Sequence, residues 1–448
     1  MSREKKYEID MCNGSIMDKL ISFALPLMLS GMLQLMFNAV DIVVVGRFSG
    51  SQSLAAVGAT TALIYLFTNL FIGISLGANV LAARYYAAGK HEEMSETVHT
   101  AMMFALISGI IMIFVGLFFS RLALEIMGTP SDVIDQATLY MRIYFLGMPF
   151  FMLYNYGAAI LRAVGDTKRP LIFLIISGVV NACLNMLLVI VFHLDVAGVA
   201  IATVTSQFIS CVLVIGCLYR TKSSYQLRFS RLKIRKEYLK PICQVGIPAG
   251  IQSTVINFSN ALLQSSVNSF GSTTMAGYTA ANNIFGFLYV SVNAITQACM
   301  SFTSQNYGLR KLKRMDKILM DCLILTVVVS LVLGGGVYLF GAEILRLYTE
   351  EAEVIRCGIE IFAYTTVTYF LCGIMDLFPG ALRGMDRSTV PMILSVIGTV
   401  GTRIVWVFWL FPAHRSLAFL FISYPASWLI TIAMQVICFY LVRRKVHG

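Results

Sequence analysis

The sequence predicts an all-α integral membrane fold: twelve transmembrane helices in two parallel six-helix repeat lobes. Composition is the first of three observations behind it. Of 448 residues, 58% are hydrophobic and 13% charged, and mean hydropathy is +0.77; soluble chains carry about 25% charged residues. The second is length. Apolar runs reach 20 residues and beyond, enough to cross about 30 Å of hydrocarbon at 1.5 Å per residue. The third is an internal repeat, described below.

Taken in order, apolar runs between charged or glycine- and proline-rich breaks give spans at 17–45, 54–80, 97–119, 131–161, 170–193, 196–219, 238–269, 277–302, 316–341, 352–382, 390–411 and 416–442. The first 19 residues are polar and mixed in charge, unlike a cleaved signal peptide. An even number of spans puts both termini on one side, and the positive-inside rule names that side. The termini (Arg3, Lys5, Lys6 and Lys19 among them) and the even-numbered loops hold 27 of the 34 basic residues. The opposite loops hold only Arg47, Arg121, Arg346 and Arg415. Both termini are therefore expected in the cytoplasm. The net charge of +11 collects where anionic headgroups attract it. No soluble basic module with stacking aromatics exists for nucleic acid.

The repeat appears where Leu161-Arg-Ala-Val-Gly-Asp-Thr-Lys-Arg-Pro170 returns as Leu382-Arg-Gly-Met-Asp-Arg-Ser-Thr-Val-Pro391. Pro26 likewise matches Pro248, Asn38 matches Asn260, and Gly89 roughly matches Gly308. The expected lobes are 1–219 and 238–448, joined by a basic linker over 220–237. Parallel repeats of this kind build transporters whose bundles rock about a site near the midplane. Pro26 and Pro248 each delete a backbone hydrogen bond and bend a long helix.

Intramembrane polar residues mark candidate sites. Asp41 lies near the outer end of span one, after Asn38. Asn181 and Asn185 share one face of span five at i, i+4 spacing. Thr203 lies about two turns into span six, at a compatible depth. A carboxylate, two amide oxygens and a hydroxyl form an all-oxygen set suited to a hard monovalent cation, whose charge offsets the cost of burying the carboxylate. The bland alternative, hydrogen bonds that glue helices together, should recur in both lobes. The second-half counterparts are roughly Leu263, Thr402 and Trp406, so the cluster belongs to one lobe. Asn155 in span four corresponds to Asp376 in span ten, each about two turns from the cytoplasmic end. Asn155 joins the cation set, and Asp376 is the carboxylate expected to meet a cationic substrate. Met32, Phe37 and Tyr154, with Asn38, are substrate-contact candidates because they share helices with the polar set; polarizable methionines suit varied ligands. Glu360 and Arg403 lie at similar depths and are expected to form a structural ion pair.

The paired Leu-Arg signatures, the six-plus-six repeat, Pro26 and Asp41 together resemble the multidrug and toxic compound extrusion (MATE) family over essentially the whole chain. The resemblance implies antiport, with Na⁺ or H⁺ entering as an amphipathic, often cationic drug leaves. It implies a coupling cation in the first lobe, held by Asp41, Asn181, Asn185 and Thr203. Some members carry Asp where this chain has Asn185, so Asp41 is a lone carboxylate that holds Na⁺ or carries a proton without paired-carboxylate sharing. Some also carry a Glu in span seven; Gln252 to Asn260 contains no acid, and Asp376 is offset by about one turn. A bacterial cytoplasmic membrane and a chain that works as a monomer are expected.

Two other function classes bear on the same residues. No P-loop occurs, so energy must come from an ion gradient rather than ATP. A lipid-linked oligosaccharide flippase, a MATE-like fold, would want a cationic lumen. The intramembrane Arg142 and Arg403 stand against Asp41, Asp376 and Glu360, which favours cationic cargo. An embedded enzyme would need a metal set or a nucleophile–base pair within the spans. The five histidines lie at loops or span ends, the ten cysteines form no Cys-x-x-Cys pair, and no cofactor is expected beyond the coupling ion.

Overall fold

The computed structural model describes residues 7–447; Arg3, Lys5 and Lys6 of the basic tally lie outside the described residues. These form helices without a strand. In chain order they are α1 (Met17–Phe48), α2 (Gly50–Ala87), α3 (His91–Ile126), α4 (Ile134–Leu146), α5 (Met148–Ala163), α6 (Lys168–Asn185), α7 (Asp195–Arg220) and α8 (Lys236–Asn268). The second half adds α9 (Ser272–Gly308), α10 (Leu312–Leu339), α11 (Gly341–Arg346), α12 (Ala352–Thr365), α13 (Tyr369–Gly384), α14 (Thr389–Ser395), α15 (Thr402–Val405) and α16 (Leu417–His447).

Nine of these elements, counted with their π-helical extensions, are long and apolar enough to cross a membrane, and two bent pairs bring the number to eleven. The pairs are α4 with α5, bent by 48°, and α12 with α13, bent by 50°. Each pair falls on one expected span, 131–161 and 352–382. Gly147-Met148-Pro149 explains the first break: Pro149 has no N–H to donate, and Gly147 lets the chain approach Gln207 and Val204 of α7. α8 takes the twelfth place; at 33 residues it spans the required length, but Gln252, Asn257, Ser259 and Asn260 make it less apolar.

Side chains are distributed as a lipid solvent requires. On α3 the large apolar residues Ile110, Ile111, Phe114, Phe118 and Leu122 are exposed, while Thr97, Ser108 and Ser120 are buried. These three hydroxyls return their protons to carbonyls three or four residues back, Thr97 to Glu93 at 2.7 Å, Ser108 to Ala105 at 3.1 Å and Ser120 to Gly116, so they are not left bare in an apolar medium.

By internal contacts the chain forms two compact units: Met1–Asp10 with Leu29–Gly250, and Met11–Met28 with Ile251–Gly448. The chain changes unit inside α1 and inside α8, two residues beyond Pro26 and two beyond Pro248. In unit 1 the first half of α8 is held by glycines. An added methyl on Gly250 would lie 2.7 Å from the Leu70 carbonyl oxygen, and one on Gly246 would lie 2.8 Å from that of Gly73. Gly73-x-x-x-Gly77 on α2 and Gly246-x-x-x-Gly250 on α8 thus bring two backbones together as small-xxx-small pairs do in membranes.

The Leu-Arg signature is a turn. Gly165 takes φ +93°, and a side chain there would lie 2.5 Å from the Ile9 carbonyl oxygen, so glycine is required twice over. Asp386, its counterpart, takes the same left-handed region at φ +61°. Next to Gly165, the fully buried Asp166 pairs with Arg169 and accepts its backbone N–H at 3.1 Å. In unit 2, the Met11 carbonyl accepts from Asn306 at 3.1 Å, and the Cys12 carbonyl from Lys311 at 2.9 Å.

Candidate cation-binding site

In unit 1, α1 and α6 meet through a ring set against a glycine. Phe37 packs on Gly178, where an added methyl would lie 2.6 Å from ring carbon Cδ2 and closer still to two others. No residue with a side chain fits there. One turn along α1 from Phe37 is Asp41; one and two turns along α6 from Gly178 are Asn181 and Asn185. The glycine contact therefore sets the register that brings these three polar side chains together.

They form a connected group. The Asn185 amide nitrogen donates to Asp41 Oδ1 and to Asn181 Oδ1 at 3.1 Å. Asn185 is fully buried and Asn181 only 5% exposed, while Asp41 is half-buried. The Asn185 carbonyl oxygen is buried without a hydrogen-bond partner among the described residues. An orphaned buried acceptor carries a desolvation cost of about 1–3 kcal/mol. α6 ends at Asn185 and continues as a π-helical stretch, Met186–Val191, a helix variant common at functional sites.

The other expected residues form no hydrogen bond to this group among the described residues. Thr203 donates to the Val199 carbonyl at 3.0 Å, and the Asn155 amide to the Phe151 carbonyl at 2.8 Å; both bonds stay within their own helices. Tyr154 donates to the Pro170 carbonyl at 3.3 Å. Met32 is half-buried and Asn38 exposed. Two residues of α4 that the sequence reading passed over, Tyr140 and Tyr144, lie close enough to feel the Asp41 charge. Their rings stack at 6.3 Å and 28°. Their i, i+4 spacing was the one available signal, and it looks the same as ordinary helix packing.

In unit 2, Asp376 is half-buried on α13 and near enough to Arg383 for their charges to interact. Arg383 Nη2 donates to Gln252 Oε1 at 2.6 Å. The expected Glu360–Arg403 ion pair is corrected. Glu360 is exposed on α12, and Arg403 Nη1 donates instead to Asn260 Oδ1 at 2.7 Å and Ser259 Oγ at 3.3 Å. Equal depth along two helices does not fix which way each side chain faces. No group of three or more His, Cys, Asp or Glu that could hold a metal occurs among the described residues; the unit 1 group is built from amides around one carboxylate.

The chain resembles "Probable multidrug resistance protein YoeA" of Bacillus subtilis (strain 168), with 28% identity over 423 residues that cover 92% of this chain and 91% of that protein. The "Multidrug export protein MepA" of Staphylococcus aureus (strain NCTC 8325 / PS 47) is 21% identical over 397 residues, covering 89% and 87%. Among solved structures, one described as the outward-facing conformation of a multidrug resistance MATE family transporter of the MOP superfamily superposes with a TM-score of 0.88. It is 20% identical and covers 98% of this chain and 97% of that one. A MOP superfamily transporter from Pyrococcus furiosus gives 0.90 at 20% identity and 98% coverage of both chains. These neighbours share the fold. The MatE family model matches residues 26–187 and again 248–409, so its two copies begin on Pro26 and Pro248 and contain the paired Leu-Arg turns. By that double match the chain belongs to the MatE family.

Proposed function

We propose that the chain is a cation-coupled exporter of amphipathic, often cationic drugs, working by alternating access across a bacterial cytoplasmic membrane with both termini inside. The coupling ion, Na⁺ or H⁺, is carried at Asp41. The observation behind this is the Asn185 amide: its nitrogen donates to Asp41 and its own oxygen is left buried without a partner. An amide nitrogen in that place supplies the positive end of a dipole to a carboxylate that lacks a cation. Rotating the amide by half a turn would present Oδ1 beside Asp41, an arrangement that is favourable only with a cation between the two oxygens. Asn181 Oδ1, freed of Asn185 by that rotation, supplies a third oxygen. Na⁺ entry therefore gives the orphaned acceptor a partner. Protonation of Asp41 produces the same release through a hydroxyl that donates to Asn185 Oδ1.

The names of the relatives support multidrug cargo, and the positive-inside pattern supports the orientation. An ion gradient supplies about 2.3 kcal/mol per charge for each 100 mV of potential. Pro26 and Pro248 lie where α1 and α8 pass from one unit to the other, and we assign them the bending that accompanies exchange.

Cation binding to purified protein tests the site without transport. Na⁺ should raise the thermal stability of the wild type in a saturable way at high pH and have no effect on Asp41→Asn. If protons alone couple, Na⁺ is silent and protein flash-diluted from high to low pH takes up one proton that the variant does not. An Asp41→Asn protein that keeps both responses overturns the assignment.

A further inference from the structure

The offset that carries Pro26 to Pro248 and Asn38 to Asn260 places Arg403, next to the Thr402 that the Leu-Arg turns align, where the first repeat has Asn181. Unit 1 thus has a carboxylate, Asp41, against its amides on α1 and α6; unit 2 has a guanidinium, on α15, against an amide on α8. Arg403 is 2% exposed and forms no ion pair among the described residues. Its charge is held by neutral groups: Nη1 donates to Asn260 and Ser259, and its flat face lies 4.6 Å from the Tyr424 ring centre. The opposite edge has no hydrogen-bond partner among the described residues. Nε is buried with no partner, and Nη2 has none among the described residues. α15 is a single turn between two π-helical stretches, Val396–Gly401 and Trp406–Leu410, the same irregularity that follows Asn185.

We propose that unit 2 holds a carboxylate-binding site centred on the Nε–Nη2 edge of Arg403. A buried guanidinium without a counter-ion is costly, and the free edge presents two parallel N–H donors that match the two oxygens of a carboxylate. Asn260 and Ser259 hold the third nitrogen, so the fork is fixed in orientation before a ligand arrives. The surroundings select an aromatic frame for that carboxylate. Tyr424 stacks on Phe421 at 6.0 Å and 11°, meets Trp428 edge-on at 5.7 Å, and its hydroxyl lies 3.4 Å from that of Tyr278. Asn260 and Tyr424 are only half-buried, and the ligand would enter past them. The ligand class is an aromatic carboxylate, and the site is separate from the cation group of unit 1.

Benzoate and its neutral isostere benzamide test this on the full chain in a maltoside detergent, with the emission of its three tryptophans, Trp406, Trp409 and Trp428, as readout. In wild type, benzoate should change the emission saturably and bind at least about tenfold more tightly than benzamide. Arg403→Gln should abolish that preference. Arg403→Lys, which keeps the charge but loses the fork, should weaken benzoate about tenfold. Equal binding of the two probes in wild type, a preference that survives in Arg403→Gln, or displacement of benzoate by an equal concentration of chloride would overturn the proposal. The wild-type comparison decides alone if either variant fails to fold. No arm measures transport, so failure here leaves the proposed cation coupling untouched.

Discussion

Gly178 is the position from which the proposed cation group can be dislodged without altering any of its polar atoms. In Gly178→Ala the new methyl meets Phe37 Cδ2 at 2.6 Å, with two further ring atoms nearer still. Ordinary contact begins near 3.4 Å, so the ring, or α1 with it, must move by about an ångström or more. Overpacking of this kind costs about 1–3 kcal/mol. Asp41 follows Phe37 by one turn, so a shift of α1 lengthens the Asn185–Asp41 bond beyond hydrogen-bonding range. The same shift takes Asp41 away from the Asn185 and Asn181 oxygens with which it would share a bound cation; losing one such charge-assisted contact, worth about 1.5–3 kcal/mol, should lower apparent affinity for the coupling cation about 10- to 100-fold. The assay is the cation concentration giving half-maximal dye efflux from proteoliposomes, with folded protein quantified by gel filtration. Phe37→Ala in the same chain makes room for the methyl and should recover most of the lost affinity. A Gly178→Ala protein with wild-type cation dependence, or a double variant no better than the single one, would refute the register argument.

Other positions give sharper structural expectations. Gly246→Leu forces a side chain into the Gly73 carbonyl and should lower the detergent melting temperature by several degrees or prevent folding, whereas Gly216→Ala, with open space around it, should melt like wild type. Asp166→Ala leaves the Arg169 guanidinium without its buried carboxylate and should destabilise unit 1 by about 3 kcal/mol, read as a lowered midpoint of thermal unfolding. Pro248→Ala restores the bond to the Gln244 carbonyl that proline denies; turnover of dye efflux should fall while Na⁺ or proton binding to purified protein stays within twofold of wild type.

Much of this structure was legible in the sequence because a bilayer simplifies the code. Apolar length and basic loops gave the spans, and the Leu-Arg repeat gave the halves; the family match over 26–187 and 248–409 has the same period. The grouping of Asp41, Asn181 and Asn185 was accessible too, since i, i+4 spacing fixes a helix face and polar residues in an apolar span face protein. What escaped depends on rotation and register between helices. Phe37 drew notice as a ligand contact, but its packing against Gly178 needs both helices in place. Thr203 has a depth compatible with Asp41, yet it and Asn155 satisfy themselves on carbonyls four residues back in their own helices, a choice open to any hydroxyl or amide on a helix. Arg403 was paired with Glu360 by depth alone, whereas Asn260 lies on a span distant in sequence. The breaks in spans four and ten are hidden within continuous apolar runs, and only Gly147 and Pro149 hint at the first.

The most direct test of cation-coupled export is efflux of a cationic dye from proteoliposomes under Na⁺ and H⁺ gradients imposed one at a time, for wild type and Asp41→Asn. The account predicts that efflux follows one of the two gradients and vanishes in a folded Asp41→Asn protein. Dye movement that ignores both gradients, or an Asp41→Asn protein that exports at the wild-type rate, would contradict it.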